Sequence, residues 1–87
     1  MMQGVHQEPV SYIAEFRQLA HENDLNKHRI EIYLTDGNRH WVKLISEEWE
    51  DAIRIVAEND TKPVILMKHT IQSMGLVLRP VERKRDG

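Results

Sequence analysis

The chain has 87 residues, with 12 Lys and Arg against 14 Asp and Glu and no cysteine. That length holds one domain with a limited core, for which oligomerisation is a reasonable source of added stability. The missing thiol excludes a disulfide framework, a thiolate metal site and a cysteine nucleophile, and a formal net charge of −2 argues against the overall basic surface of a non-specific nucleic-acid binder.

Residues 1–9 show no periodicity and read as a flexible lead-in to a domain over 10–81. Ser11 is placed to cap a helix over 11–23, because Tyr12, Ile13, Phe16, Leu19 and Ala20 follow at the spacing of one helical face. Asn23 and Asp24, which compete for backbone groups, end it. From Arg29 the period becomes two: Ile30, Ile32 and Leu34 point one way, and Glu31, Tyr33 and Thr35 the other. Asp36-Gly37-Asn38 supplies a turn in which Gly37 takes a positive φ, and a second alternation runs from Arg39 to Ile45, completing a hairpin.

Ser46 to Asn59 carries two readings. As a helix it has Ser46 as cap, Glu47 and Glu48 in the first turn, and Trp49, Ala52, Ile53, Val56 and Ala57 on one face. As a loop and strand it is a short acidic connection followed by Ala52 to Ala57, with Ile53 and Ile55 inward and a turn at Asn59-Asp60. Periodicity slightly favours the helix. Beyond Pro63 an apolar strand, Val64 to Met67, ends abruptly in Lys68 and His69, and a further alternation begins at Ile71. A last strand then extends from Met74 to Val81, with Gly75 marking a bulge or close backbone approach and Pro80 confining it to an edge or terminus. Residues 82–87 are a polar tail.

Charge is segregated along the chain. Residues 46–60 hold six acids against Arg54 alone, whereas 27–43 hold Lys27, Arg29, Arg39 and Lys43 against Glu31 and Asp36. A mildly acidic protein can therefore present a basic face, while Glu47, Glu48, Glu50 and Asp51, gathered in one exposed loop, would repel duplex nucleic acid. Neither a bilayer-spanning apolar run nor a signal-peptide pattern is present, so a soluble cytoplasmic protein is expected. The glycines stand isolated at 4, 37, 75 and 87, which leaves no phosphate-cradling or nucleophile-elbow motif. His21 and His28 lack metal-ligand spacing and a third partner. No enzymatic activity, metal or cofactor is expected, and Trp41 and Trp49 read first as core or interface residues.

Ile32-Tyr33-Leu34-Thr35-Asp36-Gly37 together with Lys68-His69-Thr70-Ile71 resembles the Hfq family of bacterial RNA chaperones. That family carries an Ile-Tyr-Leu-x-Asn-Gly turn and a later Tyr-Lys-His-Ala-Ile block, and Gln7-Glu8-Pro9 is similar to its Gln-Asp-Pro ahead of a helix. The likeness covers about 7–74, with departures: Trp49-Glu50 stands for the family's aromatic-acid pair, Asp51-Ala52 for its Gln-Phe, Met67 for Tyr and Thr70 for Ala. It implies a mainly β protein with an N-terminal α-helix, in which an Sm-like (SH3-type) five-stranded barrel over about 29–81 assembles as a ring of six subunits. It also favours the strand reading of 46–59.

In such a ring Lys68 and His69 form a collar of cations and donors, suited to the phosphates and unstacked bases of single-stranded RNA. The resemblance places Lys68 and His69 at a uridine-rich site, Tyr33 and Arg39 on an adenine-rich face with Gly37 in its turn, and Lys27 near a basic rim; Gln7 and Trp49 complete the candidate RNA contacts. The expected partners are small regulatory and messenger RNA and further copies of the chain. The rival reading is an α+β protein-interaction module, helical over 46–59, that makes no nucleic-acid contact.

Overall fold

A computed structural model describes residues 11–80, in which one N-terminal helix precedes a five-stranded antiparallel sheet. The elements are α1 (Tyr12–Glu22), β1 (His28–Leu34), β2 (Arg39–Glu48), β3 (Ala52–Ala57), β4 (Pro63–Met67) and β5 (Ile71–Leu78), with a single 3-10 turn at Lys68–Thr70 between the last two strands. The strand order is β4-β3-β2-β1-β5. The expected lead-in, the polar tail and the candidate contact Gln7 lie outside the described residues.

Local chemistry accounts for the first elements. The Ser11 hydroxyl accepts from the Ala14 N–H at 3.1 Å, meeting one of the free amides of a helix start. Tyr12, Ile13 and Phe16 then pack against the sheet core, although no residue of α1 is fully buried. In β1 the predicted inward set Ile30, Ile32 and Leu34 is buried. Gly37 has φ +94°, and because nothing lies within 4 Å of where its Cβ would be, backbone conformation rather than space requires the glycine.

Ser46 to Asn59 forms no helix: it holds the end of β2, a turn at 49–51, and β3, as the loop-and-strand reading expects. The misleading period arises in β3, where the neighbours Ala52 and Ile53 are both buried and Val56 and Ala57 both half-buried, so apolar residues on both faces imitate a helical spacing. Relative to β3, β2 carries two extra residues, Lys43 and Ser46, at breaks in the register. Its residues paired with the inward positions Ala57, Ile55 and Ile53 of β3 are consequently Val42, Ile45 and Glu48, three apart rather than two. The strand also runs on to Glu48 instead of ending at Ile45. The expected bulge at Gly75 is absent: Gly75 pairs with Glu31 in regular register, nothing lies within 4 Å of its Cβ position, and the irregularity falls at Gln72. β5 ends at Leu78, short of Val81.

The sheet is not closed into the expected barrel. β4 pairs only with β3 and β5 only with β1, so each leaves one edge without a partner among the described residues. Yet the two edges are joined by one 3-10 turn. Four inter-strand spacings of about 4.8 Å would separate them by roughly 19 Å in a flat sheet, whereas three residues of 3-10 helix advance only about 6 Å. The sheet must therefore curl strongly, and the bulges in β2 supply the bend. The connection crosses over the end of the sheet instead of folding β5 back beside β4, which leaves both edges free.

Nine apolar residues, all on the strands, form the buried core, and Ile30, Ile32, Ile53 and Ile55 are its most enclosed large side chains. Each such burial contributes about 1.5–3 kcal/mol. At the end of β1 and β5 away from the Lys68–Thr70 turn, Arg79 fastens the curl: its guanidinium donates to both Glu58 oxygens, at 2.9 and 2.6 Å, and to the Leu25 carbonyl at 2.8 Å. Residues following β3 and β5 are thus joined across the two strands between them. The Glu58 hydrogen bonds push the Arg79 pKa further up.

Candidate nucleic-acid interface

The β1–β2 and β2–β3 turns lie at opposite ends of β2, and the link between β4 and β5 is bonded to both. The Lys68 N–H donates to the Asp51 carbonyl at 2.8 Å, and the Thr35 N–H donates to the Thr70 carbonyl at 2.8 Å. The Lys68–Thr70 turn is thereby bonded both to the β2–β3 turn carrying Trp49 and to the β1–β2 turn carrying Gly37. The Thr70 hydroxyl braces it by donating to the Met67 carbonyl at 2.7 Å. Lys68, His69, Trp49 and Gly37 are brought together here, with Tyr33 opposite Arg39 at the base of the hairpin. Lys27 is elsewhere: its carbonyl accepts from the Arg79 N–H, past the far end of β5.

The side chains around this connection differ in freedom. His69 is exposed, and the Trp49 ring, 40% exposed, sits on a turn held by its own N–H to the Ala52 carbonyl at 2.8 Å. Lys68 is neither a simply solvated cation nor a free one. Its ammonium lies 2.8 Å from Glu48 Oε2 and 5.7 Å from the centre of the Tyr12 ring, leaving the side chain 19% exposed.

Glu48 is the group that the sequence reading passed over. Its carboxylate accepts from the Ser11 hydroxyl at 3.2 Å and from the Tyr12 and Ile13 N–H groups at 3.0 and 3.1 Å, so it caps α1 from a strand more than thirty residues away. Burial raises its pKa, but the Lys68 hydrogen bond, the two helix amides and the Lys68 charge outweigh this and lower it from 4.5 to about 2. The expectation of one exposed acidic loop is corrected accordingly. Glu47 pairs with Arg54 at 3.4 Å, Glu48 is largely covered, and only Glu50 and Asp51 stand in the turn. The available signal was an acid in phase with Val42 and Ile45, six and three positions earlier.

A second constellation lies on the face where β1, β2 and β5 adjoin. The Arg29 guanidinium stacks 3.7 Å from the centre of the Trp41 ring, whose indole N–H donates to Glu31 at 3.2 Å. Arg39 reaches to 3.6 Å from the same carboxylate. These residues, with Val77, Leu78 and Pro80, line an open pocket of about 290 Å³. No cluster of three or more His, Cys, Asp or Glu among the described residues could hold a metal ion. No described helix is long and apolar enough to cross a membrane.

Comparison with known protein families, curated proteins and solved structures finds no match.

Proposed function

We propose that this is an Hfq-like, ring-forming RNA-binding protein of Sm-like architecture. It takes uridine-rich single strands at the Lys68–Thr70 turn and adenine-rich ones beside Tyr33, Gly37 and Arg39, as a cytoplasmic chaperone or post-transcriptional regulator without chemical catalysis. The observation that carries this reading is the bonding of two turns to the Lys68–Thr70 connection, which gathers Lys68, His69 and Trp49 on a curled sheet whose two edge strands are open. Pairing the free edge of β4 in one copy with that of β5 in the next satisfies both rows of backbone groups. A contact between two different edges, repeated by rotation, closes a ring, and six is the number that the resemblance implies.

In that ring His69 offers an exposed imidazole donor and Trp49 a stacking face. Lys68 has three ammonium protons, of which the contact with Glu48 engages one. The other two are available to a phosphate or a base oxygen. Substituting Lys68 would leave Glu48 unpaired against α1, so His69 gives the cleaner test. His69→Ala should preserve the oligomer and weaken binding to a uridine-rich oligonucleotide by about tenfold, the worth of roughly 1.4 kcal/mol. A titration of wild type and variant at two salt concentrations, with solution mass measured in parallel, decides it. Equal affinities, or a monomeric wild type at micromolar concentration, would overturn the proposal.

A further inference from the structure

We infer that the pocket lined by Arg29, Arg39, Trp41 and Leu78 receives the β2–β3 turn of a second copy of this chain, with Trp49, Glu50 and Asp51 entering it. The result is a head-to-tail contact distinct from edge pairing. On the receiving side, two guanidinium groups are in Coulombic contact with carboxylates without being hydrogen-bonded to them. Arg29 lies 3.9 Å from Glu58 and Arg39 3.6 Å from Glu31, both beyond hydrogen-bond range. Arg29 Nε is buried with no acceptor at all among the described residues. Glu31, the carboxylate beside Arg39, already accepts from the Trp41 indole, and Glu58, beside Arg29, from Arg79. Arg39, whose side chain is 58% exposed, therefore keeps unused donors in the fork geometry that matches a carboxylate, with the covered Arg29 charge behind it and an apolar wall beside it whose Leu78 is 73% exposed.

On the entering side, Glu50 and Asp51 are exposed, and neither pairs with a cation among the described residues, whereas Glu47 and Glu48 both do. Between the β2 end and those two acids stands the exposed Trp49. Acid and indole on the turn thus answer guanidinium and leucine in the pocket, in charge and in apolar character. The turn does not meet its own pocket. None of Trp49, Glu50 and Asp51 is among the residues that line it. Because the two surfaces differ, the contact is heterologous and propagates into stacks.

The test needs no RNA, so its outcome is independent of whether the Lys68–Thr70 turn binds RNA. Solution mass is measured against protein concentration at low and high salt for wild type, for Arg39→Glu, for the double substitution Glu50→Lys with Asp51→Lys, and for an equimolar mixture of the two variants. All three positions are exposed, and circular dichroism checks each fold; Arg39→Ala replaces Arg39→Glu if the latter misfolds. Wild type should show a species heavier than its high-salt form, with apparent affinity falling about tenfold as salt rises through the range where surface charges are screened. Each variant alone should lack that species. The mixture should form a species heavier than either variant but limited to one such contact, since the native turn of one variant fits the native pocket of the other. A wild-type mass that ignores salt, a turn variant that still associates, or a mixture that stays apart would each overturn the inference. So would quenching of Trp41 by adenosine monophosphate with no self-association, which would make the pocket a nucleotide site.

Discussion

Replacing Glu48 by Gln keeps the shape and one acceptor oxygen but removes the charge that joins α1, β2 and Lys68. The folded-state pKa of about 2 against an ordinary 4.5 spans some two and a half units, and at about 1.4 kcal/mol per unit the linked stabilisation is at most about 3 kcal/mol. The carboxylate is 14% and its partner 19% exposed, so screening trims this to roughly 2 kcal/mol. The sign follows from the depressed pKa. The contribution is complete above pH 4.5 and is lost as pH falls from there towards 2. At pH 7 Glu48→Gln should melt roughly 8–16 °C lower for a domain of this size, and the gap from wild type should narrow below pH 4.5. Under the proposed function the freed Lys68 should also raise affinity for single-stranded RNA, so stability and binding move in opposite directions. Unfolding by urea at a series of pH values from 7 to 3, with an RNA titration at neutral pH, measures both. A stability gap that stays constant across that range, or no gap at all, would refute the linkage between Glu48, Lys68 and the helix start.

Arg79→Lys should lower thermal stability and Arg79→Ala should lower it further, because lysine keeps the charge facing Glu58 but loses the fork and the bond to Leu25; amide exchange of β5 should quicken in the same order. Gly37→Ala should cost about 1 kcal/mol or more, since φ +94° strains any residue with a Cβ while the space beside it is open, and denaturant midpoints will show it. Ile53→Ala removes a side chain with no exposure at the centre of the core and should destabilise by about 2–5 kcal/mol.

The parts of this fold that were legible in the sequence depend on near neighbours. Ser11 caps a helix start three residues away, Asp36-Gly37-Asn38 makes its own turn, and the apolar run before Lys68 is long enough for a strand. What escaped depends on distance in sequence. Nothing near Lys68 announces that its partner is Glu48, twenty residues earlier, or that Arg79 will meet Glu58. The strand within 46–59 was obscured because β3 is apolar on both faces, with Ala52 and Ile53 both buried and Val56 and Ala57 both half-buried, which gave the segment a helical spacing; the two bulges of β2 carry no residue signature in Lys43 or Ser46. The Lys68–His69 turn was found as a place. Its electrostatics were not, since a lysine at a strand end is read as free until the carboxylate beside it is seen.

The two extra residues of β2 have one more consequence. Lys43 and Ser46 have no register partner on β3, although the Ser46 hydroxyl donates to the Arg54 carbonyl at 3.3 Å and accepts from its Nε at 2.9 Å, and the pairs on either side of them would remain in register and on the same faces if both were removed. They contribute neither to the ladder nor to the buried core; what they contribute is curvature. A chain without them would keep every strand and every inward side chain, but its sheet would flatten and its outer strands would draw apart beyond the reach of the Lys68–Thr70 link. Bend and tether length are therefore a single geometric variable stored at two distant places in the chain. A related sequence that drops the insertions from β2 has to lengthen the connection between its last two strands, and one that lengthens this connection is free to lose them.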